Sequence, residues 1–488
     1  MLSPHSTSAL RLFCRRGAPL VALLAACGRA YSADSWLGIY FGSSKIGYSH
    51  TEIRRATVNG RPGYRVLSTT VMRMALLGQP VEQRIVMDQL LDRRWNPRQL
   101  SFSMDSAGHQ TKLQAVFDTR TVKCKLSSAD TVSHKVLRIP KGANLVMDPS
   151  IMLARTIKPG RKLRFHYLNA VSLAIESGTA EVLRRETISV GGVTYRALVV
   201  KTAMPMGTMV HWQDDRGDML RAETVLGIRM VKETKEQALS LPEKALTPPI
   251  DVAAAVSVDL DKPIENPRTL RKLRLELTSQ EPLPLIADAR QIGRQMPAAN
   301  GTHTIELTIR AEDIDLASAS KLAAIPKQQY RQYLVSSPYI QSADPRIRAK
   351  AKEIIGSEDN AARAALLIRD WVHQNMTYRA DIGVLRPAVD VFKSRAGVCR
   401  DYAILYAALA RAVGIPTRVA AGLVFSGGAL YYHAWAESFV GTWVDIDPTL
   451  PTAFVDATHI KLARGDVADL INVSKVMGNL KAHILESE

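Results

Sequence analysis

Apolar and polar residues alternate along much of the first two-thirds of the chain, a pattern that predicts mostly β-strand. Asn59-Gly60 and Gly191-Gly192 each separate two apolar runs, as the two-residue turns of β-hairpins do. Strict alternation also marks two half-buried strands farther along, at Leu273, Leu275 and Leu277 and at Ile305, Leu307 and Ile309. We therefore expect a β-rich domain over residues 34–240 and a small β domain over residues 250–311, with a proline-rich linker between them.

The apolar period changes to that of a helix directly after Cys399. One helical face is formed by apolar side chains at Tyr402, Leu405, Tyr406, Leu409 and Val413. Gly414 and Pro416 are typical of a helix end. Cys399 is thus predicted at or beside the N-terminus of an amphipathic helix, where the partial positive charge favours thiolate over thiol. The alternative from this helix alone is a buried structural cysteine.

Three short strands are predicted after this helix, and they carry an imidazole and two carboxylates. Their approximate ranges are 417–425, 431–440 and 442–446. His433 lies in the second, whereas Asp445 and Asp447 share one face at the third. Adjacent antiparallel strands can place His433 against a carboxylate and bring both toward the start of the helix. A cysteine with a downstream histidine and aspartate is a candidate nucleophile with its base and orienting group.

Four blocks of this region, in this order, resemble the transglutaminase-like superfamily. The blocks are Gly397–Ala403, Gly414–Arg418, His433–Glu437 and Trp443–Thr449. The resemblance implies an α+β fold with a papain-like core, in which Cys399 is the nucleophile, His433 the base and Asp447 the residue that orients His433. A swapped role for Asp445 is the less favoured alternative. His459, in a segment that resembles the end of bacterial members, is expected to be structural.

The expected activity is cysteine-dependent acyl transfer on an amide bond of a peptide or protein. The acyl-enzyme would react with water, as in a peptidase or amidase, or with an amine, as in a transglutaminase, and the residues do not separate these outcomes. The competing hypothesis is a non-catalytic envelope protein that uses the same fold to bind peptide or polymer.

The resemblance extends to both sides of these blocks. Predicted helices at Tyr333–Ile355 and Ala361–Tyr378 complete a catalytic domain over residues 312–488. The opening of the β-rich domain, from Trp36 to Tyr48, is similar to the N-terminal part of bacterial transglutaminase-like proteins. For that domain we expect a curved antiparallel sheet or half-barrel, which serves either as a scaffold or in binding a substrate or partner.

The N-terminus is typical of a secretion signal over residues 1–26. Arginines precede a short apolar run that ends at Ala25-Ala26-Cys27-Gly28, which resembles the bacterial lipobox. Cys27 is therefore the predicted lipidation site, and the protein is expected in the periplasm as a lipoprotein anchored to the outer membrane. Cleavage after Ala33 and a transit peptide are the alternatives.

The formal net charge of +18 favours anionic surroundings such as lipid head groups or an envelope polymer. A nucleic-acid partner is not expected, because the basic residues are scattered and form no compact binding motif. The cysteines form no disulfide framework, so Cys124 and Cys399 are predicted to be free, with Cys124 inert on a strand. No cluster has the spacing of a zinc site, and we expect neither metal nor other cofactor.

Overall fold

The computed structural model describes residues 33–129, 131–143, 145–147, 159–224, 227–241, 250–297, 301–452 and 455–488. The predicted signal peptide at residues 1–26, the lipidation site Cys27 and the linker around residue 248 lie outside the described residues. Within the described ranges, no helix combines the length and the apolar character needed to cross a bilayer.

The N-terminal region folds into one large antiparallel sheet. Its strands are β1 (Ala33–Phe41), β2 (Ser44–Val58), β3 (Arg61–Leu76), β4 (Gln79–Asp92), β5 (Pro97–Ser106), β6 (His109–Phe117), β7 (Thr121–Ser128), β8 (Thr131–Arg138), β9 (Lys162–Asn169), β10 (Ala174–Val190), β11 (Val193–Met204), β12 (Gly207–Gln213), β13 (Met219–Thr224) and β14 (Ile228–Glu233). In the described chain their order is β8-β7-β6-β5-β4-β3-β2-β1-β14-β13-β12-β11-β10-β9. Two short helices follow, α1 (Lys235–Leu239) and α2 (Val252–Ala255).

Both predicted hairpin turns of this sheet are confirmed. Asn59 and Gly60 have φ angles of 51° and 74° and join β2 to β3. Gly191 and Gly192 have φ angles of 58° and 78° and join β10 to β11. Positive φ at both central residues matches the right-handed twist of the flanking strands, which explains why asparagine and glycine occupy these turns.

The large sheet curves so that its two edge strands approach each other. Leu145, which follows β8 at one edge, forms a bridge with His166 of β9 at the other edge. The expectation of a β-rich N-terminal region is confirmed, and the approach of the two edges gives the sheet a concave inner face.

Two further sheets contain the remaining long strands. Their strands are β15 (Val258–Asp259), β16 (Lys272–Ser279), β17 (Gln291–Gln295), β18 (His303–Arg310), β21 (Thr417–Ser426), β22 (Ala429–Phe439), β23 (Trp443–Ile446), β24 (Ile460–Gly465) and β25 (Lys481–Ser487). Strands β19 (Thr377–Tyr378) and β20 (Ala396–Gly397) form a separate short pair. One sheet has the order β17-β18-β16-β25, and the other has β15-β22-β21-β24 with β23 paired to β22. The last strand of the chain thus joins the small β unit, and β15 joins the sheet of the C-terminal region.

Four helices lie in the described part of the C-terminal region. They are α3 (Pro345–Ile355), α4 (Ala361–Asn375), α5 (Ala388–Ser394) and α6 (Cys399–Ala412). The prediction of a helix from Tyr333 was wrong at its start, because Asp344 caps the helix and Pro345 occupies its first position. Residues 331–333 form only one short 3₁₀ turn.

Helix α6 is buried on every side, which differs from the amphipathic helix that its period predicts. Every residue from Asp401 to Arg411 is buried. Helices α3, α4 and α5 surround it, together with strands β21 and β22. Alanines at the remaining positions allow this close approach, so the helix is central to the C-terminal core.

One continuous apolar core joins the large sheet to the C-terminal helices. It includes Phe102, Leu113 and Leu126 from β5, β6 and β7, and Ile368 and Leu405 from α4 and α6. The large sheet therefore packs directly against the region that carries Cys399.

Hydrogen bonds add to this contact at the loop formed by residues 381–385. Thr111 donates to the carbonyl oxygen of Leu385 at 3.0 Å, and Gln83 donates to that of Gly383 at 3.3 Å.

Strand predominates in the described chain, and the helices are grouped beside the sheet of β21–β24.

Candidate active site

Cys399 is the first residue of α6, and the residues around it fix the start of the helix. The Asp401 carboxylate accepts a hydrogen bond from the Val398 N–H at 3.0 Å. A Cβ atom at Gly397 would lie only 2.4 Å from that carboxylate, so glycine is required there. The buried Arg386 guanidinium lies 3.5 Å from Asp401 and neutralises its charge. The Gly-x-Cys-x-Asp block thus stabilises the N-terminus of this buried helix through the hydrogen bond between Asp401 and the Val398 N–H.

The structure brings Cys399, His433 and Asp447 together. The half-buried Cys399 thiol interacts by hydrogen bonds with the His433 ring and with the Ala434 N–H. His433 Nε2 lies 2.8 Å from Asp447 Oδ2, which leaves Nδ1 as the ring nitrogen for the thiol. The N–H of Thr449 donates to the other oxygen of Asp447 at 2.7 Å. The three groups therefore form a hydrogen-bonded series from thiol to carboxylate.

The electrostatics of this series favour charged partners. Burial opposes ionisation of Cys399, but the charge and hydrogen bond of His433 outweigh it and lower the pKa of the thiol. Burial alone would lower the pKa of His433, yet the carboxylate of Asp447 and the thiolate raise it well above its usual range. The pKa of Asp447 falls despite burial, because both neighbouring imidazoles stabilise its anion. A thiolate–imidazolium pair on an ionised carboxylate is the state that this geometry stabilises.

His459 lies behind Asp447 and extends the series, a placement that the sequence did not predict. Its Nε2 lies 3.2 Å from Asp447 Oδ2, and its Nδ1 lies 3.2 Å from Asp456 Oδ1. Arg268 in turn donates to Asp456 Oδ2 at 2.7 Å. The His459 ring is fully buried, and each of its two nitrogens lies beside a carboxylate. In the sequence, the Asp456–His459 segment was the only indication of a role for His459, and it does not show that this residue contacts Asp447.

Asp445 contacts other partners and not His433. Its carboxylate accepts from Arg290 Nε at 2.6 Å, from Trp435 Nε1 at 3.0 Å and from Lys461 Nζ at 3.0 Å. Burial disfavours its charge, but Lys461 and Arg290 lower its pKa far below the usual range. The structure therefore places Asp447, and not Asp445, beside the imidazole.

A network of buried charges surrounds Lys461 and supports the strands of the site. The Lys461 ammonium lies 2.7 Å from both Glu437 and Asp288, and its side chain is only 1% exposed. Glu437 also forms a two-point ion pair with Arg418, at 2.7 and 3.1 Å. The network links β22 and β24, which flank the site, to the loop before β17 in the small β unit.

Tyr378 lies at the open side of the site. Its ring is 43% exposed and lies 6.5 Å from the ring of Tyr402. Burial of its hydroxyl and the nearby Cys399 thiolate both raise the pKa of Tyr378. An exposed aromatic ring beside the thiol can contact a bound substrate.

His433, Asp447 and His459 also form a group whose ligand atoms lie within 4.8 Å of one another, the spacing of a possible metal site. The hydrogen bonds from both rings to one oxygen of Asp447 account for this proximity without an ion. A metal would have to displace the protons that both rings donate there. Cys124, the other free cysteine of the described residues, is buried on β7, and burial raises the pKa of its thiol to about 11.

Comparison with known protein families matches two separate segments of the chain. Residues 348–448 match the profile of the transglutaminase-like superfamily, which confirms the resemblance predicted from the four sequence blocks. Residues 38–234 match DUF3108, described as a protein of unknown function.

One curated relative and two solved structures are similar to parts of the chain. The relative is a protein-glutamine gamma-glutamyltransferase from Pseudomonas aeruginosa PAO1, 34% identical over 134 residues, and the match covers 22% of this chain and 19% of that protein. A structure from Cytophaga hutchinsonii, designated a candidate cysteine protease, is 21% identical with a TM-score of 0.32 and covers 45% of this chain and 91% of that one.

The second structure is a β-barrel-like protein of DUF1849 from Brucella abortus. It is 12% identical with a TM-score of 0.34 and covers 42% of this chain and 97% of that one. The chain spans about a fifth of the length of the curated relative, so the likeness concerns a domain and not the whole of that protein. Residues 348–448 are thus the part of the chain that is similar to the transglutaminase-like superfamily.

Proposed function

We propose that the protein catalyses acyl transfer on amide bonds, with Cys399 as nucleophile, His433 as base and acid, and Asp447 as the orienting carboxylate. The observation that supports this most directly is the series of hydrogen bonds from the Cys399 thiol through His433 to Asp447. Its order, a cysteine at a helix start followed by histidine and aspartate on strands, also supports the predicted papain-like arrangement of the core.

The proposed reaction begins with the Cys399 thiolate and the His433 imidazolium. The sulfur attacks the amide carbonyl carbon, and the oxygen takes up the electron pair of the C=O π bond. The Cys399 N–H is a donor for this oxyanion, because the first N–H groups of a helix have no acceptor within it. When the C–N bond breaks, the leaving amine takes its proton from His433, and a thioester remains on Cys399.

The second half of the proposed reaction returns the cysteine to its thiolate. Water or a primary amine gives a proton to His433 and attacks the thioester, which releases an acid or a new amide. The curated relative is named a protein-glutamine gamma-glutamyltransferase, so a glutamine side chain is the first acyl donor to test. The proposal includes both peptidase or amidase and transglutaminase outcomes.

The proposed setting is the cell envelope. The basic, apolar segment that ends at Cys27 supports secretion to the periplasm and a lipid anchor in the outer membrane. The net charge of +18 supports proximity to an anionic envelope polymer.

The experiment that tests the proposed activity compares wild type with Cys399→Ala. Both are incubated with a glutamine-containing peptide, with and without a fluorescent primary amine, and ammonia release and amine incorporation are measured. We expect Cys399→Ala to lower the rate by at least about a thousandfold, because it removes the nucleophile. Cys124→Ala is the matched control and should retain the activity, since Cys124 is buried on β7.

Two results would contradict the proposal. One is equal turnover by wild type and Cys399→Ala. The other is a wild-type protein that binds the glutamine-containing peptide tightly but neither releases ammonia nor incorporates the amine. That result would favour the non-catalytic binding hypothesis.

His459→Phe should lower kcat by about tenfold to a hundredfold with little change in KM, because an unsupported Asp447 lets the imidazole move. Phenylalanine fills the buried site but donates to neither Asp447 nor Asp456. His459→Gln, which can still donate to Asp447, should recover part of kcat. If both variants lose thermal stability alike while kcat and its pH profile stay at wild-type values, His459 is only structural.

A further inference from the structure

A cavity of about 220 Å³ lies against the concave face of the large sheet, apart from the candidate active site. Its wall on the sheet consists of side chains from β2, β3 and β4: Thr51, Ile53, Val66, Ser68, Met87, Gln89 and Leu91. Trp95, Val146 and Met147 line the rest of it. Protein interiors hold few voids larger than one water molecule, so a cavity of this volume needs an explanation.

The register of the strands shows that the side chains of the cavity wall come from aligned positions on neighbouring strands. Ile53, Val66 and Gln89 are consecutive partners across β2, β3 and β4, and Leu100 of β5 follows Gln89. Their side chains share the inner face because partners across a ladder point to the same side. The neighbouring row is formed by Thr51, Ser68, Met87 and Phe102.

Gln89 is the anomalous member of this apolar row. The residue is only 6% exposed and lines the cavity. The Thr51 and Ser68 hydroxyls satisfy each other at 2.9 Å. A polar amide in an otherwise apolar wall gives the cavity one place for a directed hydrogen bond. The amide faces a space where a ligand can bind it.

We propose that this cavity is a binding site for a small apolar molecule, or the end of an apolar chain, that carries one hydrogen-bonding group for Gln89. A cavity of 150 Å³ can hold benzene, so this one holds by proportion about nine non-hydrogen atoms. The apolar wall supplies most of the binding free energy, and the amide sets the orientation of the ligand. The site gives the N-terminal sheet a function that is independent of Cys399.

Trp95 gives the site a natural reporter. Its ring lines the cavity and stacks on Tyr64, with ring centroids 4.4 Å apart. A ligand in the cavity contacts this ring, so its tryptophan fluorescence should change, and the change should disappear in Trp95→Phe.

The test uses benzamide and heptanamide, a compact and an extended amide of the expected size, and ethylbenzene as the partner without a polar group. Binding to the full chain is measured by calorimetry and by tryptophan fluorescence. We expect Gln89→Leu to weaken binding of at least one amide by about fivefold or more and to leave ethylbenzene binding unchanged or tighter. Val66→Phe, which takes up part of the cavity, should weaken binding of all three. Gln99→Leu, at an exposed glutamine on β5, is the matched control and should bind as wild type does.

The outcomes that overturn the proposal are distinct from failure of the proposed catalysis. If no probe binds and Gln89→Leu only raises the melting temperature, the cavity holds water or nothing. If the amides bind Gln89→Leu and Val66→Phe as well as wild type, they bind elsewhere. Cys399→Ala should bind the probes unchanged, so this test does not depend on the reaction at Cys399.

Discussion

Replacing His433 by alanine is expected to slow alkylation of Cys399 at pH 7 by about tenfold to thirtyfold. An ordinary cysteine, with a pKa near 8.5, is only about 3% thiolate at pH 7, whereas one paired with an imidazolium is mostly ionised. His433 is the strongest of the groups that lower the pKa of Cys399. Without it, burial is the dominant influence, and burial favours the neutral thiol.

The sign of the pH dependence follows from both shifts. The ion pair exists above the lowered pKa of Cys399 and below the raised pKa of His433. In wild type, labelling by iodoacetamide should therefore stay fast through neutral pH and fall only on the acid side. In His433→Ala it should rise only toward alkaline pH.

Labelling at each pH from 5 to 9 would be followed by mass spectrometry of the peptide that contains Cys399. Cys399→Ala is the blank for this peptide, and the peptide that contains Cys124, whose thiol is buried and has a raised pKa, is followed as the internal reference. Superimposable profiles for wild type and His433→Ala would refute the activated thiolate and with it the proposed mechanism.

Replacing Lys461 by methionine is expected to lower the free energy of unfolding by about 3–5 kcal/mol, because removal of one partner leaves buried charges uncompensated. Lys461 lies within 3.0 Å of three carboxylates, those of Asp288, Glu437 and Asp445. Burial disfavours its charge, yet these carboxylates raise its pKa. The methionine side chain fills nearly the same volume as that of lysine. The change in unfolding free energy therefore reports the loss of charge and not a loss of packing.

Chemical denaturation of both variants followed by circular dichroism measures this effect. Lys321→Met is the matched control, since its Nζ lies 2.9 Å from Asp359 but both side chains are more than 60% exposed. An exposed pair contributes only about 0–1 kcal/mol, so the control should unfold nearly as wild type does. A loss of less than about 1 kcal/mol in Lys461→Met would mean that the network is not a main source of stability.

Local pattern in the sequence was enough to predict several features of this protein. The turn at Asn59-Gly60 and the helix that begins at Cys399 depend on neighbouring residues, so their patterns are visible along the chain. The four blocks around Cys399 identified the superfamily, because each keeps a local structure that its own residues determine. The start of α3 was mispredicted, although Asp344 and Pro345 carry an ordinary helix-start signal.

Tertiary structure alone decided which distant groups meet. Asp445 and Asp447 lie two residues apart in the chain. Asp445 is held by Arg290, Trp435 and Lys461, whereas Asp447 faces His433. Gln89 looks in the sequence like any polar residue of a strand until its neighbours enclose it. Sequence determined the elements and the chemistry they carry, since both depend on short-range pattern. The pairing of those elements determined the site, since burial and charge neutralisation depend on residues far apart in the chain.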